Sequence, residues 1–380
     1  MHICTEQSGQ FDAFAYLVKQ VEARNDVATV LLLVCEENNF SSCDINALLT
    51  SLNKPVLGGI FPALISGNAL MYRGAIVAGM KKRAKIHILT GLSEEHKDFE
   101  SALDSMVTEN ITAPTVFLLV DGMASRLSAF VDALYTIFGL TINYIGGGAG
   151  SSRFVSCDCI LTNQGVLSDT ALIAEFDMPS CIGVRHGFLP VDGPFKVTEA
   201  DHTVVTSLNW KPATQLYNET IANHIGCSVE ATPLDQTFKS YPLGIDRLTG
   251  ERIVRDPVCL RDDGSMVFIG EVPEGSYVDI LHGDKTSLIA AATMAKDDCL
   301  KSLAERETKG LSTETVDWFF MDCISRVNIL REDFTKELDA VFSPEMRLVG
   351  ALTIGEIANS GRDYLELYNK TAVLAALINA

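Results

Sequence analysis

Apolar positions along the chain follow two alternating periods. Phe11, Phe14, Leu17, Val18 and Val21 recur at helical spacing, whereas 28–35 is an unbroken β-rich run that reads as a buried strand. A short helix is predicted over 43–52 behind Ser41 or Ser42 as cap. Strands follow at 55–62, 68–80 and 86–89, then a polar helix over about 94–109. The order then returns: strand 115–120, helix 126–138, strand 140–145 ending in glycines, and hairpin strands 154–162 and 170–176. Gly58 and Gly59 stand where Gly146 and Gly147 stand in the second copy, so 1–180 reads as an internally duplicated α/β domain.

Residues 181–235 change texture and read as a junction and the start of a second domain, with short strands over 195–208 and a helix opened by Pro212. The second domain, 236–380, is β-rich at first: strands at 241–245, 252–260, 266–271 and 276–281 are separated by turns at 249–251, 263–265 and 273–275. A long helix over 287–306 leads to strand 317–327, helix 331–342 and strands 348–357 and 364–374, again in the order strand, helix, strand, strand. Strands follow strands after each helix. That pattern predicts an α/β fold with α+β-like mixed sheets in two domains, and excludes the strict alternation of a doubly wound Rossmann fold.

Composition narrows the function classes. The 380 residues are 47% hydrophobic, enough for a large core, and the formal charge of −19 repels nucleic-acid and anionic lipid surfaces. No apolar run is long enough to span a membrane, and the N-terminus lacks the basic and apolar regions of a signal peptide, so a cytoplasmic protein with reduced thiols is expected. The ten cysteines form no paired zinc knuckles, although Cys157 and Cys159 fall on the same face of a strand. Whether the chain forms a homo-oligomer is left open.

The densest glycine run, Gly146, Gly147, Gly148 and Gly150, follows an apolar strand. Such a run lets backbone approach something closely, be it a ligand or another strand. It is followed by strand-like sequence rather than a helix, and it lacks the lysine of a phosphate loop. Further motifs stand in order along the second half: Tyr241 to Gly244, Arg255 to Pro257, Gly270 to Gly275, Cys323 to Arg326, Gly350 to Ile357 and Tyr368 to Thr371. These resemble the C-terminal FIST domain, while Ile145 to Gly150 and Val184 to Phe188 resemble its N-terminal partner domain. The resemblance covers roughly 28–375.

The resemblance implies an intracellular sensory module that binds a small ligand, without an output segment of its own. Similar stand-alone bacterial members are haem proteins that sense nitric oxide and regulate a partner histidine kinase. A haem b would need an axial histidine. His186 beside Phe188 at the domain junction is the first candidate, Arg185 a propionate partner, Gly147 and Gly148 a close wall, and His224 the alternative ligand. Tyr241, Arg326, Glu356 and Asn369 are pocket-wall candidates, with Arg326 placed to pair with Glu356. A second reading is a metabolite sensor, for example of an amino acid whose carboxylate is held by the amides of 146–152 with Arg153 or Arg326. A third is a hydrolase or transferase using Glu356 or Cys323. No triad, zinc motif or spaced pair of carboxylates supports it, and a non-enzymatic protein is expected.

Overall fold

The computed structural model describes residues 1–106, 113–226, 234–246, 252–307, 316–359 and 364–379. Three six-stranded sheets share one plan. In each, a central strand (Thr29–Cys35, Thr115–Asp121, Val316–Cys323) runs parallel to a partner strand (Val56–Phe61, Asn143–Ala149, Leu348–Thr353). On its other side lies an antiparallel return strand (Ala75–Met80, Thr170–Phe176, Ala372–Ile378). The return strand in turn pairs with a first strand (His2–Glu6, Lys85–Thr90, Ser180–Arg185). The duplication legible in the sequence is therefore part of a threefold repeat.

The copies are joined by exchange. Each sends a β-hairpin onto a neighbour's sheet: Ile160–Thr162 with Gly165–Leu167 extends the first sheet, Glu356–Ala358 with Glu366–Tyr368 the second, and Leu64–Ser66 with Ala69–Met71 the third. A ring results. Its inside is one core drawn from all three sheets, including Leu31, Phe61, Phe117, Ile145, Phe319 and Val373. The outer face of each sheet is covered by its own helices. With both faces buried, the central strands are long apolar runs instead of alternating, with carboxylates only toward their ends (Asp121, Asp317 and Asp322).

The third copy is split. Between its first strand and the helix Lys285–Glu307 lies an insertion spanning Leu189–Asp201 to Tyr277–His282. Its long strand Leu189–Asp201 pairs with both Tyr277–His282 and Val204–Leu208, closing a barrel with Leu243–Ile245, Ile253–Leu260 and Met266–Ile269. Tyr217, Leu243, Met266 and Ile280 fill it. The helix Ala213–Ile225 ends at Gly226 in the left-handed region.

Several predicted elements are corrected. The run 68–80 is two strands, and 154–162 does not pair with 170–176, which joins a different sheet. The run 317–327 is strand only to Cys323, and Arg326 lies on the helix Ile324–Leu330. The strand 348–357 breaks at Gly355 (φ 81°), and 364–374 breaks at Lys370 (φ 55°). The polar helix is Phe99–Met106. The predicted turn at 249–251 lies outside the described residues. Apolar content hid these breaks, because buried hairpins, helices and strands share it.

One glycine per copy sets the approach of the parallel strands. Gly58, Gly146 and Gly350 sit opposite Leu32, Leu118 and Phe320, and a Cβ there would lie 2.3, 1.7 and 1.8 Å from the facing carbonyl oxygen. Gly146→Ala is expected to cost about 3 kcal/mol by overpacking. Urea unfolding checks this, and unchanged stability would show that the strands do not depend on the contact.

Candidate functional site

A cavity of about 770 Å³ opens between the ring and the inserted barrel. The ring supplies Gly122 to Ser125 and Ile354, which follow the carboxyl ends of parallel strands, and Ser325 and Asn328 from the helix Ile324–Leu330. Crevices at such strand ends are where α/β sheets place ligands. Phe154, in the left-handed region and 43% exposed, leans in from the loop after the glycine run. The barrel contributes His202, Thr203, Asp256 to Val258, Ile269 and Gly270. Exposed Val258 and Ile269 complete an apolar rim with Phe154.

Asp256 and Lys370 form the charged, buried end of the cleft, with their charges 3.0 Å apart. The Lys370 ammonium also donates to the carbonyls of Lys239 (2.7 Å) and Phe238 (3.3 Å) and lies 5.4 Å from the Phe188 ring centroid. Burial pushes the Asp256 carboxyl above its ordinary range, against the pull of Lys370. Next to Lys370, Asn369 donates to Ile269 O (3.0 Å) and Val254 O (3.3 Å). The stretch from Tyr368 to Thr371 thus fastens the barrel to the ring.

Behind the cleft lies a second buried network. Arg326 is fully buried and donates to the Glu337 carboxylate (2.7 Å) and to the carbonyls of His186 (2.8 Å), Lys370 (3.0 Å) and Leu288 (2.8 Å). Asp322 lies 3.2 Å from its Nε. Burial, then the Glu337 charge, holds the Asp322 carboxyl well above the ordinary range. Glu356 accepts from Thr353 Oγ1 (2.7 Å) and Thr371 N–H (3.2 Å), and burial pushes its carboxyl up to about 8. Arg326 therefore pairs with Glu337 and Asp322 rather than with Glu356 as the sequence suggested. The Cys323 thiol is held well above its ordinary range by burial and the Glu356 charge, so it is a neutral buried thiol.

Residues 29–211 match the FIST N domain and 213–359 the FIST C domain. The chain belongs to the FIST-domain family. FIST domains are sensory, ligand-binding modules. No curated protein matches the chain. The division between the two FIST matches falls inside the barrel, just after the strand Lys211–Pro212, so the third repeat is shared between them.

The FIST geometry scatters the residues singled out from sequence. Gly147 and Gly148 lie in a strand bonded on both sides, and a Cβ on either would meet Gly355 O (2.7 Å) or Ile354 O (2.1 Å). Their close approach is to another strand. The amides of 146–148 and the guanidinium of Arg326 are spent on protein partners and are not available to hold a carboxylate. His186 is 5% exposed, accepts the Phe188 N–H at Nδ1 (2.9 Å) and does not line the cleft. Arg185 pairs with Asp298 (2.6 Å) at the surface of the ring. His224 is bonded to Tyr241 Oη (2.9 Å) beside His282, within the barrel region. At His186 the neutral ring holds the Phe188 N–H on Nδ1 and so carries its own proton on Nε2, and an axial role for it would cost that bond. Asp256, Lys370 and Phe154 were missed as site residues, although Arg255 to Pro257 and Tyr368 to Thr371 stood out as motifs.

Two outcomes follow. Glu356 keeps its proton in the native state while the unfolded chain loses it, so stability falls as pH rises from 4.5 to about 8. Glu356→Gln should make that slope shallower by about 1.4 kcal/mol per pH unit, read by urea unfolding across the window. Arg326→Ala should cost about 3–5 kcal/mol by stranding buried carboxylates and carbonyls. Arg326→Lys should recover little of this, because a lysine cannot span the same fork of acceptors. Full recovery by lysine would mean that charge alone matters there.

Proposed function

We propose that this FIST protein senses a small organic metabolite bound in the cleft between ring and barrel. A change in barrel position would then pass to a partner signalling protein. The observation that carries this reading is the cleft itself: a large apolar-rimmed cavity whose buried end is the Asp256–Lys370 pair. Pockets of this size, with few polar groups in an apolar wall, suit small ligands. Its walls come from both bodies, so a ligand touching Phe154 on one side and Ile269 on the other binds the closed arrangement more tightly than an open one. That differential is what a ligand needs to shift a conformational equilibrium. The family association with sensing and with partner signalling proteins supports the same reading. The metabolite reading is favoured over a haem-based nitric oxide sensor, because the candidate axial histidines His186 and His224 stand away from the cleft lining.

The test is a thermal-shift screen over metabolites, with haemin included. A ligand at a hundred times its Kd should add about 2.7 kcal/mol of stability. The stabilisation should be lost in Phe154→Ala, whose exposed position leaves the fold intact. Stabilisers indifferent to that substitution, or haemin uptake abolished by His186→Ala, would overturn the reading.

A further inference from the structure

At the buried end of the cleft, the Asp256–Lys370 pair leaves a carboxylate oxygen without a well-directed hydrogen bond. Lys370 has three donors and three oxygen neighbours: Asp256 Oδ1, Phe238 O and Lys239 O. Two of the donors are spent on the two carbonyls, and the ammonium stays within 3.0 Å of Asp256 Oδ1. Asp256 is 7% exposed and lines the cleft. Its Oδ1, although 3.0 Å from the ammonium, receives no well-directed hydrogen bond. A buried acceptor without a donor costs free energy that a ligand donor would recover.

The other basic side chains on the lining have partners. His202 is 3.1 Å from Glu271, and Lys239 has a partner of its own. The amides of Gly122, Met123, Ala124 and Ser125 are also spent, on Ala149 O, Asp121 Oδ1, Asp121 O and Ser93 Oγ. An anionic ligand would therefore meet no amide array there and only the Lys370 ammonium, already on two carbonyls and beside the Asp256 carboxylate, and it would approach a protein of net charge −19.

Resting on the reading of the cleft as the ligand site, we infer that it takes an apolar organic cation, an amine whose ammonium group donates to Asp256. The hydrocarbon body of the amine lies between Phe154 and the rim formed by Val258 and Ile269. Ser325 and Thr203 bring hydroxyls to the same lining and can accept the remaining ammonium protons. This class differs from an amino acid, whose carboxylate would add an anion that the lining does not match.

Three probes of near-equal shape test the class on the unmodified protein: phenethylamine, phenethyl alcohol and hydrocinnamate, each titrated by calorimetry. The amine is expected to bind about tenfold or more tighter than the alcohol, with hydrocinnamate weakest. Phe154→Ala should weaken all binding, and Asp256→Asn should erase the preference for the amine over the alcohol. The ranking on the unmodified protein stands as a test even if Asp256→Asn fails to fold. If the alcohol or the acid binds as well as the amine, and Phe154→Ala still weakens it, the cationic class is overturned and the cleft remains the site. If none of the three binds, or if binding ignores Phe154→Ala, both inferences fall.

Discussion

The arrangement of ring and barrel depends on one buried guanidinium. The chain leaves the ring for the barrel at His186 to Phe188 and returns at Gly283 to Leu288; Arg326 holds the carbonyls of His186 and Leu288 together. Gly187 lets the outgoing strand pass close to the returning helix, since a Cβ there would lie 2.6 Å from Ser287 O. Taking a guanidinium out of water costs several kcal/mol, and two carboxyls and three carbonyls are gathered to offset it. Burial and the Glu337 charge hold the Asp322 carboxyl above its ordinary range, which favours its neutral form beside the Arg326–Glu337 pair. The same guanidinium holds Lys370 O, and so links the barrel's two attachment points to the buried end of the cleft.

The threefold exchange explains why the cleft lies where it does. Because each hairpin is lent to the next sheet, strand ends of one copy abut loops of another, and no copy has a complete sheet of its own. Gly122 to Ser125 come from the second copy, and Ser325, Ile354 and Lys370 from the third. The barrel then covers this junction. Its position is set by Asn369 and Lys370, in the turn between the third copy's hairpin and its return strand, and by Arg255, whose Nη1 reaches Leu367 O across the same boundary (3.0 Å). The residues that fasten the barrel are therefore neighbours of those that line the cleft, and a ligand there acts directly on the fastening.

Much of the fold was legible because burial leaves a mark on composition. The run 28–35 read as a buried strand and 115–120 as a strand, and the strands found there are buried along their length. The long helix after the barrel was equally plain. The glycine run announced a close backbone approach, and it makes one, to a neighbouring strand. Breaks within apolar runs were illegible: Gly355 and Lys370 turn the chain inside segments that keep a strand's composition, since both flanks stay in the core.

The sequence alone determined the buried strands, the helices, the repeated order of elements and the FIST resemblance, because each rests on local periodicity or on motifs in order. Tertiary structure alone decided the sheet partners and the site. Asp256 and Lys370 are separated by more than a hundred residues and meet only because a barrel inserted in the third copy folds back on the turn between that copy's hairpin and its return strand. His186 drew attention as the residue at the junction. It is Arg326, placed by the sequence on a strand and by the structure on a helix, that holds that junction closed. Charge and burial depend on what packs around a side chain, and here most of that packing comes from distant parts of the chain.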